Sequence, residues 1–133
     1  MDFSLSKEQL LIQKMAREFA EKNLEPIAEQ IDRENKIPEE IFTGLAELDL
    51  FGIPYPEEYG GAGGGYDSYV LAMEQIGRVS GGVAMTISAH CLALSALNVF
   101  GTEEQKKKYM TPCCKGKHIA SFAFTEPQTG SDP

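Results

Sequence analysis

Basic residues are scarce in this chain. It has 12 lysines and arginines against 20 aspartates and glutamates in 133 residues, a formal net charge of −8. Residues 1–60 carry 14 acids and 6 bases, so the acidic excess lies in the first part of the chain. Because a nucleic-acid-binding protein needs a basic face to neutralise phosphates, this balance argues against a nucleic-acid partner.

Cysteine is equally scarce, with three residues in the chain. Cys91 lies in an apolar run, while Cys113 and Cys114 are adjacent and poorly placed to bridge each other. No pair of CxxC motifs is present. We therefore predict free thiols, no metal site and a cytoplasmic location. The first residues lack the basic and apolar pattern of a secretory signal, so none is expected.

Charged side chains are missing from residues 83–100. Eighteen residues are near the minimum for a membrane span. The segment nevertheless contains polar side chains, namely Thr86, Ser88, His90, Ser95 and Asn98. A helix that is apolar nearly all round is typical of a core position, so we predict a central helix wrapped by its neighbours and no membrane span.

Apolar spacing predicts three helices in the first 50 residues. Ser6 and Gln9 have the spacing of a capping box, which starts the first helix. A second helix is expected after Asn23, with Pro26 in its first turn, and a third is expected to open at Pro38.

Three further helices are predicted beyond a glycine-rich loop. Six glycines and two prolines between residues 52 and 65 exclude a regular element there, and no strand precedes the loop, so a dinucleotide-binding loop is disfavoured. The fourth helix is expected at 67–79 and the fifth at 83–100. The sixth is expected to start at Thr102 and to end at Pro112.

The last part of the chain changes period. Ala120, Phe122 and Phe124 alternate with other side chains between residues 118 and 125, which predicts a strand. A lone strand cannot satisfy its own backbone groups. We therefore predict an all-α fold: a six-helix bundle in residues 1–117, followed in residues 118–133 by one strand of an incomplete β-domain. The chain is expected to be the front of a longer protein.

Four stretches together resemble the acyl-CoA dehydrogenase family: residues 3–9, 53–61, 101–109 and 122–132. The last is the most specific, because Thr-Glu-Pro, two intervening residues and then Gly-Ser-Asp, after an aromatic strand, is a signature of these flavoenzymes. Small residues are common in the family where this chain has Gln128, Thr129 and Pro133. These departures are expected to change loop shape more than chemistry.

The resemblance implies an FAD cofactor and an acyl-CoA substrate. Such enzymes remove the α proton of the thioester with a carboxylate while the β hydrogen leaves as hydride to the flavin, giving a trans-2-enoyl-CoA. Electron-transferring flavoprotein usually reoxidises the flavin, and full-length members are usually homo-oligomers, tetramers in particular. The family's catalytic carboxylate belongs to a C-terminal domain, so no catalytic residue is assigned in these 133 residues, which are expected to be inactive alone.

The resemblance also assigns binding residues. The cofactor-binding residues expected from it are Phe122, Ala123, Phe124, Thr125, Gly130 and Ser131. Ser131 is also expected to contact the CoA substrate, and Ser88, Ala89 and Leu92 are expected to line the acyl pocket. The chemistry of the residues agrees, since a strand end offers alternating donors and acceptors to a flavin pyrimidine and Gly130 lets a phosphate approach closely.

Two other functions stay open at this point. One is a related flavoenzyme of the same fold, such as an acyl-CoA oxidase or an enoyl-CoA reductase. The other is a non-enzymatic helical interaction module.

Two groups of residues that could suggest chemistry are expected to be structural. His90 beside Cys91 lacks an orienting carboxylate or amide and is expected to pack. Lys106–Lys108 are expected to form a solvated helix end, where the helix dipole favours cations.

Overall fold

The first helix begins where its capping signal places it. In the computed structural model, which describes residues 4–130, helix α1 spans Lys7–Phe19. The Ser6 hydroxyl accepts the Gln9 N–H at 3.1 Å, and the Gln9 side chain accepts the Ser6 N–H at 2.8 Å. The predicted capping box is therefore confirmed, and it satisfies two N–H groups that have no partner within the helix.

The first two predicted helices are one continuous helical stretch. After α1 the chain makes a π-helical turn at Ala20–Leu24 and a 3-10 turn at Glu25–Ile27, and then enters helix α2 at Ala28–Glu34. The prediction of a separate helix starting after Asn23 is therefore wrong. Asn35, in the left-handed conformation with φ of 49°, ends the stretch.

The middle of the chain contributes three helices and a compact loop. Helix α3 spans Glu39–Glu47, a 3-10 turn lies at Glu57–Tyr59, helix α4 spans Gly65–Gly77 and helix α5 spans Gly81–Phe100. α1 packs against α4, and α4 packs against α5. α4 and α5 thus lie where the fourth and fifth helices were predicted, each starting two residues earlier.

The sixth predicted helix is present but continues past its expected end. It is made of helix α6 at Glu103–Gln105, a π-helical turn at Lys106–Met110 and helix α7 at Thr111–Cys114. Thr102 and Gln105 form a second capping box at its start. Within residues 4–130 the helices therefore form five continuous stretches instead of six, apart from the short turn at Glu57–Tyr59.

Both differences from the predicted helix boundaries, near Pro26 and at Pro112, involve a proline that follows a π-helical turn. The Glu25 N–H bonds to the Ala20 carbonyl just before Pro26, and the Thr111 N–H bonds to the Lys106 carbonyl just before Pro112. Proline normally breaks a helix because it has no N–H and its ring meets the carbonyl four residues earlier. The wider turn shifts the hydrogen-bond register by one residue, so the chain stays helical through each proline.

The core lies between the helices and the loop that follows α3. Its largest fully buried side chains come from the first helical stretch, α3, the loop at 50–55, α4, α5 and the turn before α7, namely Leu24, Leu45, Leu50, Phe51, Tyr55, Ile76, Ile87, His90, Leu94 and Met110. The Tyr55 hydroxyl donates to the Cys91 carbonyl and also lies 3.1 Å from the Ser95 hydroxyl, so it ties the loop to α5. Burial raises the pKa of Tyr55.

α5 is buried on one face only, which corrects the expectation of a helix wrapped on all sides. Val83, Ile87, His90, Cys91 and Leu94 face the core. The opposite face is apolar but open, with Leu92 56%, Met85 68% and Val99 68% exposed. Neighbouring helices cover only one side of α5 in the described part of the chain, and a sequence pattern cannot show which side is covered. In residues 4–130, α5 is also the one helix that is long and apolar enough to cross a membrane. This is weak evidence for a membrane span, because core helices pass the same test.

The predicted strand at 118–125 does not form among the described residues. Residues 119–125 have no regular secondary structure, and the β-pairing that follows is a single antiparallel bridge between Glu126 and Thr129. A strand is defined by hydrogen bonds to a neighbour, and no described segment supplies one. The alternation is nevertheless visible, because the Phe122 and Phe124 rings stack on the same side with centroids 5.7 Å apart.

Candidate functional site

A glycine turn directs the chain from the last helix into the 118–125 segment. Gly116 has φ of +66°, and its N–H bonds to the Cys113 carbonyl at 2.9 Å. A Cβ atom at this position would lie 2.4 Å from the Ala46 Cβ and 3.0 Å from a Phe51 ring carbon. Only glycine combines this backbone conformation with the close packing, so residue 116 fixes where the following segment starts.

The segment from 121 to 125 leaves its backbone hydrogen-bonding groups free. None of its N–H or C=O groups bonds to another described residue, and the side chains of residues 121–125 are exposed. Free backbone groups of this kind are strong donors and acceptors that need a partner when they are covered. These groups therefore need partners, which a neighbouring strand or a planar group whose edge presents complementary donors and acceptors can supply.

Two aromatic rings and a hydroxyl accompany those backbone groups. Phe122 and Phe124 are 45% and 48% exposed, and their ring planes lie within 16° of each other. Thr125 adds an exposed hydroxyl directly after them. The predicted cofactor contacts Phe122, Ala123, Phe124 and Thr125 thus lie together on one accessible segment.

A tight turn follows and brings Gly130 back to the segment. Glu126 and Thr129 exchange two backbone hydrogen bonds, at 2.9 and 3.2 Å. A Cβ atom on Gly130 would lie 3.9 Å from the Thr125 methyl group, so the predicted phosphate-approach residue is next to the predicted flavin contact. Ser131, predicted to contact both cofactor and substrate, lies outside the described residues.

An apolar cleft opens beside the segment. It has a volume of about 670 Å³ and is lined by α5, the turn before α7 and the segment itself. Its walls include Ala93 and Leu97 on α5, Tyr109, and Ala120 and Phe122 on the segment. Phe122 therefore lines this cleft and also stacks against Phe124.

The three predicted acyl-pocket residues do not share one environment. Ala89 and Leu92 lie on the open apolar face of α5, in line with Met85 at helical spacing. Ser88 is partly exposed and lies at the border of that face, near Tyr69 of α4, where its side chain opposes the rise in the pKa of Tyr69 that burial causes. The structure thus groups Ala89 with Leu92 and leaves Ser88 partly covered at the border of their face.

Four consecutive N–H groups of the glycine-rich loop are already bonded and are not available to a phosphate. The backbone N–H groups of Gly61, Ala62, Gly63 and Gly64 bond to carbonyls of residues 52–56 at 2.8 to 3.0 Å. At Gly61 a Cβ atom would lie 2.2 Å from the Tyr55 carbonyl oxygen, so the glycine is needed for close packing of two backbone segments. The loop is a packing element, which agrees with the argument against a dinucleotide site.

The lysine run is partly used inside the domain. The Lys106 ammonium lies 5.4 Å from the centre of the Tyr59 ring and 4.0 Å from a Glu103 carboxylate oxygen. The Tyr59 hydroxyl donates to the same carboxylate at 2.8 Å, which raises the pKa of Tyr59 to about 12. Lys108 lies over the Tyr109 ring at 5.1 Å. These contacts favour a structural role for the run.

The buried cysteines are unsuited to nucleophilic catalysis. Burial raises the pKa of Cys91 and of Cys114 to about 12, and burial also raises the pKa of Cys113. All three are free thiols, and a protonated thiol is a poor nucleophile. Among residues 4–130, no three His, Cys, Asp or Glu side chains are grouped so as to hold a metal ion.

His90 has a role that the sequence did not reveal. It is fully buried, and its Nδ1 atom accepts the N–H of Ala120 at 3.0 Å. Its Nε2 atom has no hydrogen-bond partner within good geometry. Burial lowers the pKa of His90 to about 4, and the Cys113 backbone opposes that shift. His90 does pack in the core, as expected, but it also holds the start of the exposed segment. No sequence signal joins two residues 30 positions apart.

Comparison with known proteins identifies the family. A family model for the N-terminal domain of acyl-CoA dehydrogenases matches residues 6–117. The chain belongs to the acyl-CoA dehydrogenase family.

Its similar relatives include dehydrogenases and reductases. The chain is 44% identical to a short-chain-specific acyl-CoA dehydrogenase of Clostridium acetobutylicum, covering 99% of this chain and 35% of that protein. It is 42% identical to subunit CarC of the caffeyl-CoA reductase-Etf complex of Acetobacterium woodii, covering 96% and 34%. The structure of butyryl-CoA dehydrogenase from Megasphaera elsdenii superposes with a TM-score of 0.92 at 38% identity, covering 99% and 36%. The chain therefore spans about a third of the length of these relatives.

Proposed function

We propose that this chain forms the helical part and the first cofactor-contact segment of an FAD-dependent acyl-CoA dehydrogenase, which oxidises an acyl-CoA to a trans-2-enoyl-CoA. The observation that carries the proposal is the exposed 121–125 segment, whose free backbone groups lie beside an apolar cleft. Family membership and the names of the relatives support the chemistry.

The residues present fit the polar edge of a flavin. FAD, when bound, supplies a hydride acceptor. Backbone groups of residues 122–125 would bond to the alternating donors and acceptors of its pyrimidine ring, and the Thr125 hydroxyl can donate or accept there. Gly130, next to Thr125, would let the backbone approach a phosphate, with Ser131 adding a hydroxyl.

The open face of α5 is suited to an acyl chain. Ala89 and Leu92 present apolar side chains that would exclude water from an aliphatic substrate. Ser88, partly exposed at the border of this face, would limit the width of the pocket. We do not assign the proton-abstracting carboxylate to any residue of this chain, and we propose that these 133 residues do not turn over acyl-CoA alone.

The reverse reaction is a second candidate, because CarC belongs to a reductase complex. An enoyl-CoA reductase would use the same contacts. The membership of CarC in a reductase-Etf complex also supports electron-transferring flavoprotein as the redox partner. We further propose a homo-oligomer, a tetramer at full length, and a cytoplasmic location consistent with three free thiols.

The test uses the complete protein that contains this sequence. Purified protein is incubated with FAD, its visible spectrum is recorded, and butyryl-CoA is added without oxygen. We expect bound flavin whose visible band bleaches as the substrate is oxidised. A protein that remains colourless with FAD would contradict the proposal. A flavin that butyryl-CoA does not bleach would favour the reductase if, after bleaching by a chemical reductant, it is reoxidised by crotonyl-CoA.

Variants connect the result to the proposed site. Phe124→Ala and Thr125→Val should weaken FAD binding about tenfold, since each removes one stacking or polar contact. Leu11→Ala is the matched control, because Leu11 is 66% exposed on α1. Equal FAD affinity in all three variants would move the cofactor site away from residues 122–125.

A further inference from the structure

Among the described residues, one hydrogen bond joins the 118–125 segment to the helices. This bond runs from the Ala120 N–H to His90 Nδ1, at 3.0 Å. Ala120 is also the residue of this segment that packs partly against the core, while its neighbours on both sides are exposed. The position of residues 121–125 therefore depends on how Ala120 is held.

The histidine that holds Ala120 is itself rigid. His90 is fully buried on α5, and its ring meets the Phe51 ring edge-on with centroids 5.0 Å apart. Because Nδ1 accepts a hydrogen bond, the ring is neutral with its proton on Nε2. A buried ring fixed on two sides presents its acceptor at one place, unlike a flexible surface side chain.

The contact also connects two parts of the proposed site. His90 lies one residue from Ala89 and two from Leu92, on the same helix that presents the open apolar face. Ala120 lies two residues before Phe122, where the exposed segment begins its aromatic pair. The distance from the apolar face to the flavin-contact residues is thus set through His90.

We propose that His90 is a positioning residue for the flavin, holding the Ala120 amide and thereby placing residues 122–125 relative to the acyl-binding face of α5. This inference rests on the proposed function. It gives the histidine no part in proton transfer, because its ring is enclosed and its Nδ1 atom is occupied.

The test removes the Nδ1 acceptor of His90 but keeps a side chain of similar size at the same place. His90→Leu keeps a buried side chain but has no acceptor, whereas His90→Asn places an oxygen near the position of Nδ1. Ile87→Val is the matched control for a small change one turn away on the same buried face. Three quantities are measured for each variant in the complete protein: amide hydrogen exchange at Ala120, the visible spectrum of bound FAD and the dissociation constant of FAD.

In His90→Leu we expect exchange at Ala120 to rise about tenfold or more, since a partly buried donor has lost its acceptor. The flavin spectrum should shift and FAD binding should weaken, again about tenfold. His90→Asn should keep most of the wild-type exchange protection, flavin spectrum and FAD affinity, because its oxygen can accept the Ala120 N–H. Ile87→Val should leave all three unchanged. A purely structural role would instead lower thermal stability in His90→Leu and leave the flavin spectrum unchanged, which would overturn the inference.

A second variant keeps the test decisive if His90→Leu fails to fold. Ala120→Pro removes the donor from a segment outside the helices, and Ile119→Pro is its control, because the Ile119 N–H has no partner among the described residues. Ala120→Pro should shift the flavin spectrum and Ile119→Pro should not. Equal spectra in both would overturn the inference while leaving the proposed function intact. A wild-type protein without FAD would overturn both.

Discussion

The helical region and the segment that follows it differ in how their backbone N–H and C=O groups are used. In the helical region even the glycine-rich loop uses its N–H groups on nearby carbonyls, at 2.8 to 3.0 Å. In residues 121–125 no backbone group has a partner among the described residues, and two aromatic rings are about half exposed. The first region is a self-contained scaffold, whereas the second is a surface that needs something to cover it.

This difference separates stability from function along the chain. Substitutions in the scaffold should act on folding, because its side chains are buried and hydrogen-bonded. Substitutions at 122–125 should act on ligand binding with little effect on folding. His90 is the exception, since it belongs to the scaffold and contacts the segment.

The largest effect is expected in the core of the scaffold. Leu45 is completely buried. Leu45→Ala should lower the free energy of unfolding by about 2–5 kcal/mol, through lost burial and a residual cavity. Urea unfolding measures this. Leu11→Ala, at an exposed apolar position, should change stability by less than about 0.5 kcal/mol, and equal losses in both variants would contradict the described packing.

Acid should destabilise the scaffold through His90. Burial lowers its pKa to about 4, while the ordinary value of 6.5 applies to the unfolded chain. The unfolded state therefore binds the proton more readily between these values. This contribution to stability is complete above pH 6.5 and is lost as pH falls towards 4, by about 3 kcal/mol.

Urea unfolding across this pH range, in wild type and His90→Asn, isolates that contribution. The wild type should lose more stability than the variant between pH 6.5 and 4. His118→Asn is the control for replacing a histidine by asparagine at an exposed position. Parallel profiles for wild type and His90→Asn would mean that His90 titrates as it does in water.

A smaller effect is expected at the contact between the loop and α5. Tyr55→Phe removes the hydroxyl that bonds to the Cys91 carbonyl and lies 3.1 Å from Ser95. The Ser95 hydroxyl still donates to the same carbonyl at 3.0 Å, so that acceptor keeps a partner. The loss in unfolding free energy should be about 1 kcal/mol. A loss as large as that of Leu45→Ala would show that the ring itself had been displaced.

The smallest effect on stability is expected in the segment. Phe122→Ala should change the free energy of unfolding by less than about 0.5 kcal/mol, because the side chain is half exposed. It should nevertheless weaken FAD binding in the complete protein, as measured by titration. A large loss of stability with unchanged FAD binding would place Phe122 in the scaffold and erase the contrast between the two regions.

Local signals predicted much of the scaffold. Both capping boxes, Ser6 with Gln9 and Thr102 with Gln105, form as their spacing indicates, because a cap depends on residues three positions apart. The continuation of the helices through Pro26 and Pro112 was missed, since a π-helical turn has no sequence signature to oppose the breaking tendency of proline.

Features that depend on distant contacts could not be predicted. Which face of α5 is covered, with Leu92 open and Leu94 buried, depends on where α4 packs. The bond between His90 and Ala120 joins residues 30 positions apart. The aromatic alternation at 122–124 was predicted correctly, but strand formation was not, because a strand requires a partner outside its own sequence.

Amide hydrogen exchange at residues 121–125, measured in the complete protein with and without FAD, shows whether these backbone groups contact the flavin. The amides of residues 61–64 in the glycine-rich loop, which already have partners, serve as the internal reference. We expect FAD to slow exchange at 121–125 and to leave the loop unchanged. Bound FAD with unaltered exchange at 121–125 would show that these free backbone groups are not the flavin contact.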